Sequence, residues 1–366
     1  MRPIVSVALS LLAAGLALAA EPAEVAFYQC PQCVTAPVID GQLDDAAWQA
    51  APAMDHFYKY WTPMPEPPPL TTEARLCWNE RGLYMGITMF EDQLDKVRAT
   101  VESRDDPQTW LDDCVEIMVD PRNSGTGYYK FTTNLNAARH DQKATNMVLD
   151  DGWSVEGWQV KTSRGQGAWF IEFFLPWEDI QARPREGDIW SFDLVRYGWA
   201  TGAFKGVSWS LGGAGAAPQK FGYLRFVKSV QTPPQDLEPL ARVVRQTKGD
   251  DFRILADGVV LRHERSGWLK LQSLGEWIQA GQAVALAGLA EAQAATDKLP
   301  AGADRERLQK TIGELTQQAD QIKQACSGSG LKPGPALLAY YDLLGLRRKA
   351  SETKWDALVQ GLLAAQ

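Results

Sequence analysis

The chain has 366 residues, with 45 acidic side chains against 37 basic ones and a formal net charge of -8. That balance excludes nucleic acid as a partner, since its binding depends on neutralising phosphates, and it leaves no polybasic patch for anionic lipid. The length is enough for two hydrophobic cores.

In chain order, the first expected feature is a secretory signal. Arg2 precedes the apolar run Ile4 to Leu18, and Ala17-Leu18-Ala19 fits a small-x-small cleavage rule. The expected product is a secreted or periplasmic protein cut near Ala19. The run is too short and too early to favour a membrane span, and no later segment approaches one, so no membrane insertion is expected. Cys30-Pro-Gln-Cys33 has redox-motif spacing but lies in a short N-terminal segment. A structural disulfide, within the pair or from it to Cys77, Cys114 or Cys326, is the expected use. Two cysteines are too few for a closed zinc site, and His56, His140 and His263 are scattered.

Eleven of the 14 tryptophans fall between Trp48 and Trp209. Over residues 34–228, short alternating runs are separated by turn residues. They include Ala74 to Trp78, Leu83 to Met89, Cys114 to Val119, Tyr129 to Leu135, Trp169 to Phe174, Trp190 to Arg196 and Gly222 to Val227. Asn79-Glu-Arg-Gly82 reads as a hairpin turn. The pattern predicts a mostly β fold, an antiparallel β-sandwich or jelly roll. A linker with Pro233-Pro234 spans 229–235. Beyond it, 236–366 is expected to be an α-helical bundle or helical hairpin. Helices are expected near 236–247, 268–297, 303–326 and 335–363, with Asp304 as an N-cap; 251–264 is ambiguous between strand and helix.

The strand Cys114-Val-Glu116-Ile-Met-Val119 follows Trp110-Leu-Asp-Asp113. Its period of two puts Val115, Ile117 and Val119 on one face and Cys114, Glu116 and Met118 on the other. A carboxylate in mid-strand needs partners. Sugar hydroxyls suit it, and an indole is a flat surface for a pyranose ring; a neighbouring basic side chain is the alternative.

Several motifs occur in order. They are Pro37-Val-Ile-Asp-Gly41 through Trp48, Ala74 to Tyr84, Trp110 to Pro121, Tyr128-Tyr129, Phe170-Ile-Glu172 through Trp177, Ser208-Trp-Ser210, and Pro218 to Phe226. Over about 34–228 this set resembles a family 9 carbohydrate-binding module of the broader DOMON-like sandwich superfamily. The resemblance implies a non-catalytic sandwich that grips a sugar, often a terminal one, between two tryptophans on a concave sheet. Trp110 matches the first tryptophan, Glu116 the hydrogen-bonding acid, and Asn134 lies near a matching position on the next strand. The second tryptophan is missing from Leu211-Gly-Gly-Ala-Gly-Ala-Ala217. Trp199 or Trp61 is a candidate replacement, as are Tyr60 and Tyr197. The family also implies structural calcium, with Asp92 and Asp113 the best-matching positions.

The expected function is therefore non-catalytic binding of the end of a mono-, oligo- or polysaccharide. Two alternatives stand beside it. One is a b-type haem electron-transfer protein of the same superfamily, with Met85, Met89, Met118 and His140 as conceivable ligands. The other is a docking or structural protein acting through self-association or a protein partner of the helical region. An enzyme is not expected. Asp112 and Glu116, four apart on a strand, would stand about 13 Å apart, too far to flank one glycosidic bond.

Overall fold

The computed structural model of the protein describes residues 22–62, 65–213, 215, 217–256, 258–327 and 330–364. The secretory signal expected over 1–19 lies outside the described residues. In chain order the strands are β1 (Ala23–Val25), β2 (Phe27–Pro31), β3 (Tyr58–Lys59), β4 (Thr72–Trp78), β5 (Gly82–Phe90) and β6 (Cys114–Asp120). Next come β7 (Tyr128–Asn134), β8 (Arg139–Thr145), β9 (Val148–Asp150), β10 (Gln159–Arg164), β11 (Ala168–Pro176) and β12 (Ile189–Gly198). The last are β13 (Lys205–Ser208), β14 (Gly222–Val227), β15 (Phe252–Ala256), β16 (Val259–Glu264) and β17 (Gly267–Ser273).

A nine-stranded sheet runs β2-β14-β12-β6-β7-β8-β9, with β13 on β12 and β3 on β13. A four-stranded sheet, β10-β11-β5-β4, faces it. Within both sheets all pairs are antiparallel except β2 with β14. Alternation places the core: Val115, Ile117, Val119, Phe192 and Leu194 meet Ile87, Met89, Ile171 and Phe173 between the sheets. Trp48, Trp78, Trp169, Trp190 and Trp209 are buried, as expected for structural indoles.

Glu172 joins two of the sequence motifs. Its Oε2 accepts from the Asp40 and Gly41 amides at 2.8 Å each, and its Oε1 accepts from Trp48 Nε1 at 2.9 Å. Gly41 has φ 95° and a Cβ there would lie 3.0 Å from the Thr162 carbonyl oxygen, so this position requires glycine. The Asn79–Gly82 turn joins β4 to β5, with Asn79 Oδ1 accepting from the Arg81 amide at 2.8 Å.

Residues 27–31 belong to the large sheet, so the sandwich extends upstream of residue 34. The ambiguous 251–264 segment is the hairpin β15–β16, and β17 completes a sheet ordered β1-β15-β16-β17. The start of the helix expected near 268–297 shifts with it. Gly267–Ser273 is strand, and the helix runs Leu274–Thr296, opened by a Ser273–Glu276 capping box. The other helices span Glu238–Lys248, Ala303–Ala325 and Pro333–Ala364. Asp304 lies inside the first turn of its helix, and Gly302 is the N-cap. The three long helices share a core with Tyr58 of β3, so the helical region packs on the sandwich.

Candidate carbohydrate-binding site

The outer face of the large sheet carries Cys114, Glu116 and Met118. In register, Val195, Glu116, Thr132 and His140 sit side by side on β12, β6, β7 and β8. The next row is Asp193, Met118, Lys130 and Gln142. Glu116 is 3 % exposed. Its Oε1 lies 2.5 Å from Lys130 Nζ, and its Oε2 accepts from the Tyr197 hydroxyl at 3.1 Å. Tyr197 also lies 3.0 Å from the Tyr60 hydroxyl. Burial, then the Glu116 charge, pushes the Tyr197 hydroxyl far above the usual range, so it stays protonated as a donor. Burial, then Lys130, lowers the His140 imidazole and favours its neutral form. Thr132 Oγ1 is buried without a partner.

Aromatic side chains rim this face. Tyr60 meets Tyr197 edge-on at 5.3 Å and Trp61 at 5.5 Å, and Phe204 packs on Trp199 at 5.1 Å. Trp61 and Trp110 are 59 % and 49 % exposed, and the Trp199 indole is half-buried with its Nε1 unpartnered. Trp110 sits in a short turn leading into β6.

Asn134 lies on β7, the strand next to β6, opposite Cys114, and its side chain is held by the protein. Its Nδ2 donates to the Val101 carbonyl and to Asp112 Oδ2, both at 2.8 Å. Its Oδ1 accepts from the Asn136 and Ala138 amides. Both donors and both lone pairs are committed to the protein. The sequence reading missed Lys130, Thr132 and Phe204, and considered His140 only for haem. Once Glu116 fixes the outer face, the alternation Tyr128-Tyr-Lys130-Phe-Thr132 is the signal that finds two of them.

Gly215 lies over part of the face. The Tyr128 hydroxyl donates to the Gly215 carbonyl at 2.6 Å, and Leu211 packs against the helical core. Asp193 anchors the approach, accepting from Ser208 Oγ at 2.9 Å and from the Ser210 and Leu194 amides at 3.0 Å each. Burial pushes its carboxyl from 3.8 up to about 7. A raised folded-state value gives a contribution present below pH 4 and lost as pH rises through about 7. The urea midpoint of wild type, relative to Asp193→Asn, is therefore expected to fall between pH 4.5 and pH 7.5. An unchanged difference would refute this assignment.

The acidic positions expected to hold calcium are not gathered. Asp92 is exposed after β5, while Asp113 is buried before β6. Asp113 Oδ2 accepts from the Arg98 amide at 2.9 Å, and its Oδ1 is unpartnered. The fully buried Arg196 guanidinium lies 3.5 Å from Glu91 and shares the charge field of Asp113. Among the described residues no three His, Cys, Asp or Glu side chains converge as a metal site. Calcium takes six to eight oxygens, and this donor set does not fit it. Chelation is expected to leave the melting temperature unchanged; a fall of several degrees would establish a calcium site. The haem candidates are likewise divided, with Met85 and Met89 in the inter-sheet core and Met118 and His140 across the sheet from them.

The outer sheet face of this two-sheet sandwich thus carries a carboxylate, a lysine and a cluster of aromatic side chains. The chain belongs to the carbohydrate family 9 binding domain-like family, whose profile matches residues 39–225. It is 25% identical over 197 residues to endo-1,4-beta-xylanase A of Thermotoga neapolitana, and 26% over 204 residues to that of Thermotoga maritima. Each alignment covers 52% of this chain and 17% of the xylanase, so the chain spans about a sixth of those proteins. A solved family 9 module from Caldicellulosiruptor kristjanssonii, in complex with cellotriose, aligns at 15% identity. Its TM-score is 0.41, over 59% of this chain and 99% of that one.

Proposed function

We propose that the protein is a non-catalytic, exported carbohydrate-binding protein whose ligand sits on the outer face of the large sheet. The Glu116–Lys130–Tyr197 cluster, joined through Tyr60 to the exposed Trp61 indole, is the observation that carries this reading. Glu116 and Lys130 offer charge-assisted hydrogen bonds to sugar hydroxyls, roughly twice as strong as neutral ones. Thr132 and His140 extend that polar row, and a hydroxyl reaching Thr132 Oγ1 would satisfy a buried atom that lacks a partner. Trp110 supplies one stacking surface. With no tryptophan in 211–217, Trp61 or Trp199 supplies the other, held by the Tyr60–Tyr197–Phe204 cluster.

The family match and the site's chemistry support this function; the xylanases' catalysis does not come with a module that covers a sixth of their length. Calorimetric titration of the whole chain with glucose, cellotriose and xylotriose tests it. Saturable binding to at least one of them, weakened about tenfold or more in Trp110→Ala, is the expected result. Failure of a broad glycan screen to find any ligand would overturn the proposal and favour the docking role of the helical region.

A further inference from the structure

A cavity of about 560 Å³ opens at the far end of the sandwich, between the β6–β7 turn, the end of β8 and residues 180–183. It adjoins Asp120, at the opposite end of β6 from the Trp110 turn. Glu116 lies four residues back along β6, about 13 Å away, and neither Glu116 nor Lys130 lines the cavity. The cavity is thus set apart from the Glu116–Lys130 cluster, although Tyr128 and Ala144 at the end of the outer face border it.

Three cations line it: Arg122, Lys143 and Arg183. None of them has an ion-pair partner among the described residues, although acids outnumber bases in this chain. The two carboxylates in the lining are turned to protein amides. Asp120 accepts from the Arg122 amide at 3.0 Å, the Ser124 amide at 2.6 Å and the Gly125 amide at 3.2 Å. Asp188 accepts from the Arg185 amide at 2.8 Å. The same wall carries the half-buried Tyr129 ring, backed by Trp153 at 5.2 Å and with the Lys143 ammonium 5.5 Å from its centroid.

Guanidinium groups match carboxylates in two-pronged geometry, and an aromatic ring offers a surface for a pyranose. The volume is in the range of small-molecule sites. We propose that this cavity binds an acidic sugar unit, with Arg122, Arg183 and Lys143 taking the carboxylate of a uronic acid and Tyr129 bearing its ring. The site does not rest on the outer-face reading, and either can fail alone.

The test is calorimetric titration of the whole chain with trigalacturonate. Wild type is expected to bind it, with affinity falling steeply as salt rises. The triple variant Arg122→Ala, Lys143→Ala, Arg183→Ala is expected to bind at least tenfold more weakly. All three side chains lie at the surface or its edge, and an unchanged melting temperature shows that the fold is kept. Trp110→Ala is expected to bind trigalacturonate as wild type does. Four outcomes would overturn the proposal. They are no binding by wild type, equal binding by the triple variant, loss of binding in Trp110→Ala, and displacement of the sugar by inorganic phosphate at the same concentration, which would mark a general anion site.

Discussion

Trp110→Ala is expected to weaken sugar binding tenfold to a hundredfold while leaving the circular dichroism spectrum unchanged. The side chain is half exposed in a turn ahead of β6, so truncation removes a contact surface and no core volume. Stacking on an indole is worth on the order of 1–3 kcal/mol in the analogous nucleic-acid case, and each 1.4 kcal/mol is tenfold in affinity. Glu116→Gln is expected to weaken binding too, through a different route. It removes the charge that pairs with Lys130 and accepts from Tyr197, so the lysine is released and the acceptor for a sugar hydroxyl loses strength. Glu116 is buried, so its variant is also expected to lose some stability, whereas Trp110→Ala is not. A folded Trp110→Ala protein that binds its sugar as tightly as wild type would place the site elsewhere.

The outer face was legible in the sequence because a period of two is unambiguous once one strand is anchored. Val115, Ile117 and Val119 had to face inward, which put Glu116 outward; the register that sets Thr132 and His140 beside it comes from strand pairing, which the sequence does not encode locally. Asn134 has the same parity yet is consumed by Asp112 and Val101. Those partners come from a loop whose path no periodicity encodes. Asp92 and Asp113 stand apart for a related reason. Asp92 and Asp113 are close in sequence to other acids, but charge proximity along a chain says nothing of which side chains converge, and Arg196 lies more than eighty residues downstream. The helical region was read correctly in kind, but the start of the helix expected near 268–297 was misplaced. Gly267–Ser273 is strand because it pairs with β16, itself part of a sheet that begins at residue 23, and such a pairing leaves no local mark near 267.

Arg253→Ala is expected to destabilise the protein by about 3–5 kcal/mol, the usual cost of stranding one partner of a buried ion pair. Arg253 Nε donates to Glu24 Oε2 at 2.8 Å, and the two side chains are 3 % and 2 % exposed. The guanidinium also lies 4.6 Å from the Tyr340 ring centroid, 5.1 Å from that of Trp277 and 5.5 Å from that of Tyr341. One side chain therefore ties β1, the hairpin strand β15 and the two helices Leu274–Thr296 and Pro333–Ala364. Tyr58 of β3 packs into the same core as Trp277, Tyr340 and Tyr341, which puts the edge of the sandwich against this cluster, and burial, then the Glu24 charge, pushes its hydroxyl up. If the pair acts as a unit, replacing both members by apolar residues of similar size should recover most of the loss, since a well-packed apolar pair often matches a buried ionic one. The double variant Glu24→Leu, Arg253→Met is accordingly expected to be more stable than either single variant, with a coupling of several kcal/mol in the double-mutant cycle. Urea unfolding of the four proteins measures it. Single variants within about 0.5 kcal/mol of wild type would show that this junction does not hold the small sheet and the helices to the sandwich.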